Sequence, residues 1–95
     1  MHNVPDWRAV VRILARYMRN HPHACDSPEG IRRWWFDDGV AVTADELDEA
    51  LNWMKQHGSI DATVAADGRV RFRRRAGDAQ LDAVANGTIA PPTGP

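Results

Sequence analysis

The sequence predicts a small α+β domain that is mostly helical: a three-helix bundle followed by a two-stranded antiparallel β-hairpin. Apolar residues recur at helical spacing in three successive segments that precede Gly58. Two strand-like runs then flank the dipeptide Asp67-Gly68, which is typical of tight hairpin turns. A chain of 95 residues has room for one modest hydrophobic core. These observations predict a single folded domain over residues 1–75.

The first helix is predicted from a continuous apolar face. It starts near Pro5, because proline suits the first helical turn. It ends by His21, because Pro22 disfavours a helical backbone in the residue before it. The apolar face consists of Trp7, Val10, Val11, Leu14, Tyr17 and Met18.

The second helix is short and has a start signal. Asp26 or Ser27 is its predicted N-cap, and Pro28 takes the first helical position. Its apolar side is formed by Ile31, Trp34 and Trp35.

The third helix is predicted from Ala44 to His57. Thr43 and Glu46 form a capping box, in which each side chain accepts a hydrogen bond from a backbone N–H that the helix leaves free. The apolar stripe consists of Leu47, Ala50, Leu51 and Met54. The predicted exposed face consists of Asp45, Glu46, Asp48, Glu49, Asn52, Trp53 and Gln56. The helix therefore has one buried side and one strongly acidic side.

The hairpin is predicted over Ile60 to Arg74, with a type I′ turn at Asp67-Gly68. Side chains alternate between the two faces of a strand, so Val70 and Phe72 are expected to face the core. The other face carries Arg69, Arg71, Arg73 and Arg75.

The C-terminal segment is rich in glycine, threonine and proline and lacks periodicity. We predict a disordered tail over residues 76–95, with only a short helical pattern from Leu81 to Ala85.

Three helices followed by a hairpin resemble the winged-helix variant of the helix-turn-helix fold, over roughly residues 5–75. The resemblance is one of element order. It implies that the second and third helices form the helix-turn-helix, that the third helix enters the DNA major groove, and that the hairpin is a wing.

The charge distribution argues for a protein partner. Residues 37–62 hold seven carboxylates and one lysine, whereas residues 1–36 hold six arginines and three carboxylates. Acidic side chains on the third helix oppose the approach of phosphates. Our first hypothesis is a non-catalytic protein-interaction module, which binds a protein partner or a second copy in a homodimer. The predicted contact residues are Asp45, Glu46, Glu49, Asn52, Trp53 and Gln56.

The alternative hypothesis is a DNA-binding, transcriptional-regulator type of winged helix. Arginines spaced along a strand and along the first helix suit contact with the phosphate backbone. The predicted contact residues are Arg69, Arg71, Arg73, Arg75, Arg8 and Arg12. The fold resemblance favours this alternative, and the charge distribution favours the first hypothesis.

Other chemistry has little support in the sequence. The chain carries no catalytic or nucleotide-binding motif, so we expect no enzymatic activity and no cofactor. His21, His23 and Cys25 alternate in a predicted loop, but zinc sites usually draw ligands from two pieces of chain. Near the N-terminus, Arg8, Arg12, Arg16 and Arg19 interrupt the apolar residues before any uncharged run reaches membrane-spanning length, so we expect no membrane partner. A single cysteine suits a reducing compartment, and we expect a cytoplasmic protein.

Overall fold

The computed structural model describes residues 7–36 and 41–87. Over these residues the chain forms a small α+β domain with four helices and a three-stranded antiparallel sheet of order β1-β3-β2. The elements in chain order are α1 (Trp7–Asn20), β1 (Cys25–Asp26), α2 (Pro28–Trp34), α3 (Ala44–Gln56), β2 (Ile60–Val64), β3 (Val70–Arg74) and α4 (Asp78–Ala85). The predicted class is confirmed, and the domain has one helix and one strand more than expected.

Side-chain caps fix the starts of α2 and α3. The Ser27 hydroxyl accepts a hydrogen bond from Gly30 N at 3.3 Å, which makes Ser27 the N-cap of α2. At α3, Thr43 Oγ1 accepts from Glu46 N at 3.1 Å, and Glu46 Oε1 accepts from Thr43 N at 3.0 Å. The predicted capping box is therefore confirmed.

The core lies between α1, α3 and α4, and α2 and the base of the sheet complete it. Each apolar residue of the core is at most 8% exposed. These residues are Val10, Val11, Leu14, Ala15, Met18, Ile31, Trp35, Val42, Leu47, Ala50, Leu51, Trp53, Met54, Ile60, Ala76, Leu81 and Val84. The stripes predicted for the first and third helices supply eight of these seventeen side chains, so helical periodicity identified the main inward side of each of the two helices.

The hairpin turn differs from the predicted type I′. A type I′ turn needs positive φ at both central residues. Among the described residues, only glycines have positive φ, and at the turn this is Gly68 with φ 81°. Gly68 N donates to Ala65 O at 2.9 Å, and Ala65 N donates to Arg69 O at 2.8 Å. This pattern is a turn followed by a glycine bulge, in which the Asp67 carboxylate accepts from Arg69 N at 3.0 Å.

A fourth helix lies in the C-terminal segment for which the sequence predicted a tail. Helix α4 packs along α1, with Leu81 and Val84 fully buried. Ala76, in the link between β3 and α4, is also buried. The domain therefore extends beyond residue 75, because α4 covers a side of α1 that would otherwise expose apolar surface. Residues 88–95 of the predicted tail lie outside the described residues.

Strand β1 is the second unpredicted element. Its two residues pair with the middle of β3, with Cys25 opposite Arg73 and Asp26 opposite Phe72. Strand β3 is thus central, flanked by β1 and by the hairpin partner β2. The resulting order of helices and strands is compatible with a winged-helix-like arrangement.

Candidate protein-interaction surfaces

The outer face of α3 is acidic, and no cation of the described residues forms an ion pair with its carboxylates. Asp45, Asp48 and Glu49 are exposed, as are Asn52 and Gln56 further along the same helix. Among the described residues, no lysine or arginine lies within ion-pair distance of these three carboxylates. Their negative charge is therefore directed into solvent. We call Asp45, Asp48 and Glu49 the acidic face.

Glu46 has a different role from these three carboxylates. It is half-buried, and its carboxylate accepts a hydrogen bond from the backbone of Thr43. Glu46 therefore stabilises the start of α3, and less of its charge is presented to a partner than that of Asp45 or Glu49.

The expected exposure of Trp53 is wrong. Its side chain is only 7% exposed and belongs to the core. Its ring stacks on His57 one turn later, with ring centroids 4.0 Å apart. Trp53 follows Ala50 by three residues, so the buried stripe of α3 is wider than the one predicted and includes it. Trp53 is therefore not available as a contact residue on the surface.

The exposed aromatic side chain lies on α2 instead. Trp34 is 68% exposed, whereas its neighbour Trp35 is buried and stacks on Tyr17 at a centroid distance of 4.7 Å. His21 stacks on the other side of Tyr17 at 4.1 Å. Adjacent helix positions differ in direction by about 100°, so burial of Trp35 in this stack leaves Trp34 outside. Trp34 and Val42 line one surface cleft at the chain segment that leads into α3.

The outer face of the sheet carries the arginines that the alternation predicted. In the hairpin, Arg73 lies opposite Asp61 and Arg71 lies opposite Thr63. Both arginines are exposed, and among the described residues neither has a carboxylate within ion-pair distance. We call Arg71 and Arg73 the arginine pair.

The two flanking arginines are already partnered within the chain. Arg75 Nη1 lies 3.5 Å from Asp61 Oδ1, and Arg69 Nε lies 3.9 Å from Asp67 Oδ2. Both side chains are exposed, so these ion pairs are weak. They nevertheless reduce the free positive charge at the two ends of β3. The positive charge that has no carboxylate beside it is that of the arginine pair, in the middle of the strand.

The inner face of the sheet is only partly covered. Phe72 packs against the core as predicted, whereas Val70 and its cross-strand neighbour Val64 are exposed. The hairpin tip therefore extends past the core. Val70 was predicted to face the core, but no neighbouring element of the described structure buries its side chain.

Arg74 is a structural residue that sequence reasoning left without a role. Its side chain is only 14% exposed. Nε donates to Ala76 O at 2.8 Å, Nη1 donates to Met18 O at 3.4 Å, and Nη2 donates to the Asp78 carboxylate. The hydrogen bond from Arg74 lowers the pKa of Asp78 below its ordinary value of 3.8; desolvation opposes this and the charge of Arg19 adds to it.

The arginines of α1 have different roles. Arg12 is exposed, and the Arg8 guanidinium lies 5.5 Å from the Trp7 ring centroid. Arg19 binds α4 instead, with Nε donating to Asp82 at 3.0 Å and Nη1 lying 3.6 Å from Asp78. Arg19, near the C-terminal end of α1, therefore links α1 to α4.

The structure does not assemble a metal site from His21, His23 and Cys25. Over residues 7–36 and 41–87, no three histidine, cysteine, aspartate or glutamate side chains are grouped so that they hold an ion. His21 stacks on Tyr17, and its Nδ1 lies 3.0 Å from the Tyr17 carbonyl oxygen. Cys25 instead faces a surface cleft that Arg73 also lines.

Comparisons of the chain with protein-family models, with curated proteins and with solved structures found no match. None of the described helices is both long and apolar enough to cross a lipid bilayer.

Proposed function

We propose that this chain is a non-catalytic, winged-helix-like binding module that contacts a basic protein partner through the acidic face of α3. The supporting observation is that Asp45, Asp48 and Glu49 are exposed and have no cation beside them in the described part of the chain. Asn52 and Gln56 continue the same exposed side and supply hydrogen-bonding groups. A partner that presents arginine or lysine therefore fits this surface.

Electrostatics make α3 a poor reader of a DNA groove. Duplex DNA carries one negative charge for about every 1.7 Å of its axis, so three exposed carboxylates on the inserted helix would be repelled. The capping box of Thr43 and Glu46 engages two of the backbone donors at the start of α3, Thr43 N and Glu46 N. The element order thus resembles that of DNA-reading winged helices, while the surface chemistry suits a protein.

Trp34 supplies an apolar contact in a cleft that is also lined by the segment leading into α3. Large exposed aromatic rings are frequent anchors of protein interfaces, since they bury much area with few rotatable bonds. Trp34 shares its cleft with Val42, which directly precedes the N-cap of α3. This ring takes the anchoring role that the sequence assigned to Trp53.

The proposal is tested with an arginine-rich peptide as the simplest basic partner. Isothermal titration should give weak binding to the wild-type chain, and Glu49→Lys should lower the affinity by about tenfold at low salt. Asp67→Lys is the matched control, because Asp67 is also exposed but lies in the hairpin turn, outside α3 and outside the cleft that Trp34 lines. Equal losses in the two variants would show that only net charge matters and would refute a role for the acidic face.

DNA binding by the hairpin is the second candidate, and the arginine pair favours it. Arg71 and Arg73 are exposed without an ion-pair partner among the described residues, which leaves both free for phosphates. Arg69 and Arg75 would extend the contact after release from Asp67 and Asp61. Arg8 and Arg12 on α1 complete the proposed phosphate contacts.

Fluorescence anisotropy of a labelled random duplex tests this second candidate. Phosphate contacts make the logarithm of the affinity fall linearly with the logarithm of the salt concentration, by about one unit of slope per contact. Arg71→Ala with Arg73→Ala should therefore reduce the slope by about two. Absence of binding at low salt would eliminate the candidate. We place either activity in the cytoplasm, where the exposed thiol of Cys25 stays reduced.

A further inference from the structure

The outer face of the sheet is a docking surface made by side chains alone. Strand β3 is flanked by β1 and β2, so both of its edges already pair over part of its length. A partner on this face therefore meets the exposed guanidinium groups of Arg71 and Arg73 and does not extend the sheet through β3. The question is which chemistry best covers two adjacent arginines.

We propose that the acidic face of α3 on a second copy of this chain covers the arginine pair, so that copies associate head to tail. This inference rests on the proposed binding role of the acidic face and names its partner. The charges are complementary: exposed carboxylates on α3 meet exposed arginines on the sheet. Neither group gives up an internal ion pair in the described residues on binding.

The spacing of the two surfaces also matches. Residues four apart on a helix are separated by about 6 Å along its axis, which is the distance from Asp45 to Glu49. Residues two apart on a strand are separated by about 6.7 Å, which is the distance from Arg71 to Arg73. Two carboxylates one helical turn apart can thus meet two successive arginines of one strand face. Each guanidinium can donate two parallel hydrogen bonds to its carboxylate.

The flanking arginines set the limits of this contact. Arg69 and Arg75 already lie beside Asp67 and Asp61 of their own chain. These aspartates partly neutralise Arg69 and Arg75, so the positive charge left for an incoming carboxylate is that of Arg71 and Arg73. The internal pairs therefore favour the register in which α3 lies over Arg71 and Arg73.

The geometry makes the association heterologous. Each copy uses its helix toward one neighbour and its sheet toward another, so contacts repeat until the chain of copies closes into a ring or continues. Exposed ion pairs are individually weak and are screened by salt, so association should require high protein concentration and low ionic strength.

Two neutral double variants test the inference by sedimentation velocity. Asp45→Asn with Glu49→Gln removes two of the three charges of the acidic face, the two that are placed against the arginines, and Arg71→Gln with Arg73→Gln removes the charge of the arginine pair. The wild-type chain should show larger species as its concentration rises toward about 1 mM at low salt. Each variant alone should stay monomeric. Their equimolar mixture should form only one-to-one complexes, because each variant keeps one of the two surfaces.

The controls separate this inference from simpler explanations. Circular dichroism should show the same helix content and unfolding midpoint for all three chains. Asp67→Asn is the matched single neutralisation, since Asp67 lies outside both surfaces, and it should leave self-association intact. Addition of salt should return the wild-type chain to monomers.

Three results would overturn the inference. They are a wild-type chain that stays monomeric at about 1 mM and low salt, self-association that survives in the sheet variant, and a mixture that behaves as two monomers. If the wild-type chain is monomeric but Glu49→Lys still weakens peptide binding more than Asp67→Lys, the acidic face binds a different basic partner. If both effects are absent, the proposed function falls as well.

Discussion

Arg74 at the end of β3 donates a hydrogen bond to the carboxylate of Asp78 at the start of α4. The same guanidinium donates to the carbonyl of Met18 near the end of α1. One side chain therefore joins the sheet, the first helix and the last helix. It faces opposite to the arginine pair, because Arg74 lies one residue beyond Arg73 on the strand. Two neighbouring arginines of one strand thus differ in role: Arg74 stabilises the fold, and Arg73 belongs to an exposed surface.

Replacement of Arg74 by methionine should lower the free energy of unfolding by about 1.5–3 kcal/mol, because two backbone carbonyls lose a charged donor. Methionine keeps an apolar stem of similar length, so the loss reports the polar contacts. Urea unfolding followed by circular dichroism measures the difference. Arg73→Met is the matched control, and its effect should stay within about 0.5 kcal/mol because Arg73 is exposed. Equal effects of the two changes would refute the structural role of Arg74.

The same contact makes stability depend on acid pH. Arg74 holds the pKa of Asp78 below its ordinary value of 3.8 in the folded state. The folded chain therefore binds this proton less readily than the unfolded chain does, so the stabilisation is present above pH 3.8 and is lost as the pH falls through the folded-state pKa. Asp78→Asn should be less stable than the wild-type chain at neutral pH, and the difference should shrink on acidification.

Carboxyl resonances in NMR spectra test the cause of that shift directly. In the wild-type chain, Asp78 should titrate below its ordinary value, and in Arg74→Met its pKa should move back toward 3.8. An unchanged titration in the variant would assign the lowered pKa to Arg19, whose Nη1 lies 3.6 Å from the same carboxylate.

Local periodicity predicted the elements whose signals lie within the element itself. The stripes of α1 and α3 and the alternation of β3 were readable because each repeats several times within one element. Strand β1 has two residues and exists only through its pairing with β3, which no local pattern encodes. Helix α4 has eight residues, and its burial depends on α1, some sixty residues earlier in the chain.

For the candidate surfaces too, the local pattern predicted some features, and others depend on contacts between distant parts of the chain. Alternation placed Arg71 and Arg73 together on one face of the sheet. It did not distinguish them from Arg69 and Arg75, because that distinction depends on where Asp67 and Asp61 lie. The wrong assignment of Trp53 has a similar cause: a residue at the margin of a helical stripe is buried or exposed according to what packs beside it.

Substitutions of Trp53 and Trp34 should show that Trp53 stabilises the fold and that Trp34 does not, the opposite of what the sequence analysis predicts for their positions. Trp53→Ala should destabilise the fold by about 3–5 kcal/mol, because it removes a buried ring and leaves a cavity. Trp34→Ala should change stability by no more than about 0.5 kcal/mol. Thermal or urea unfolding measures both, and in the wild-type chain iodide should quench Trp34 more than Trp53. A large loss of stability from Trp34→Ala would mean that this ring is covered in solution.

The bulge at Gly68 sets the face on which the arginine pair lies. Gly68 has φ 81°, a conformation that costs other L-residues about 1–2 kcal/mol. Gly68→Ala should therefore lower the free energy of unfolding by about that amount, whereas Gly68→Asn should lose less because asparagine tolerates this conformation better. Open space around the added Cβ means that backbone strain, not a clash, causes the loss.

A loss of the bulge would also change the surface. A slip of one residue in hairpin pairing moves every side chain of the shifted strand to the opposite face, so Arg71 and Arg73 would turn toward the core side. Cross-strand NOEs between Thr63 and Arg71, which lie opposite each other, report the native register. Gly68→Ala should weaken these NOEs in the slipped fraction and weaken sheet-dependent self-association with them. Destabilisation with an unchanged register would instead show that cross-strand contacts alone, such as Ile60 opposite Arg74, hold the alignment.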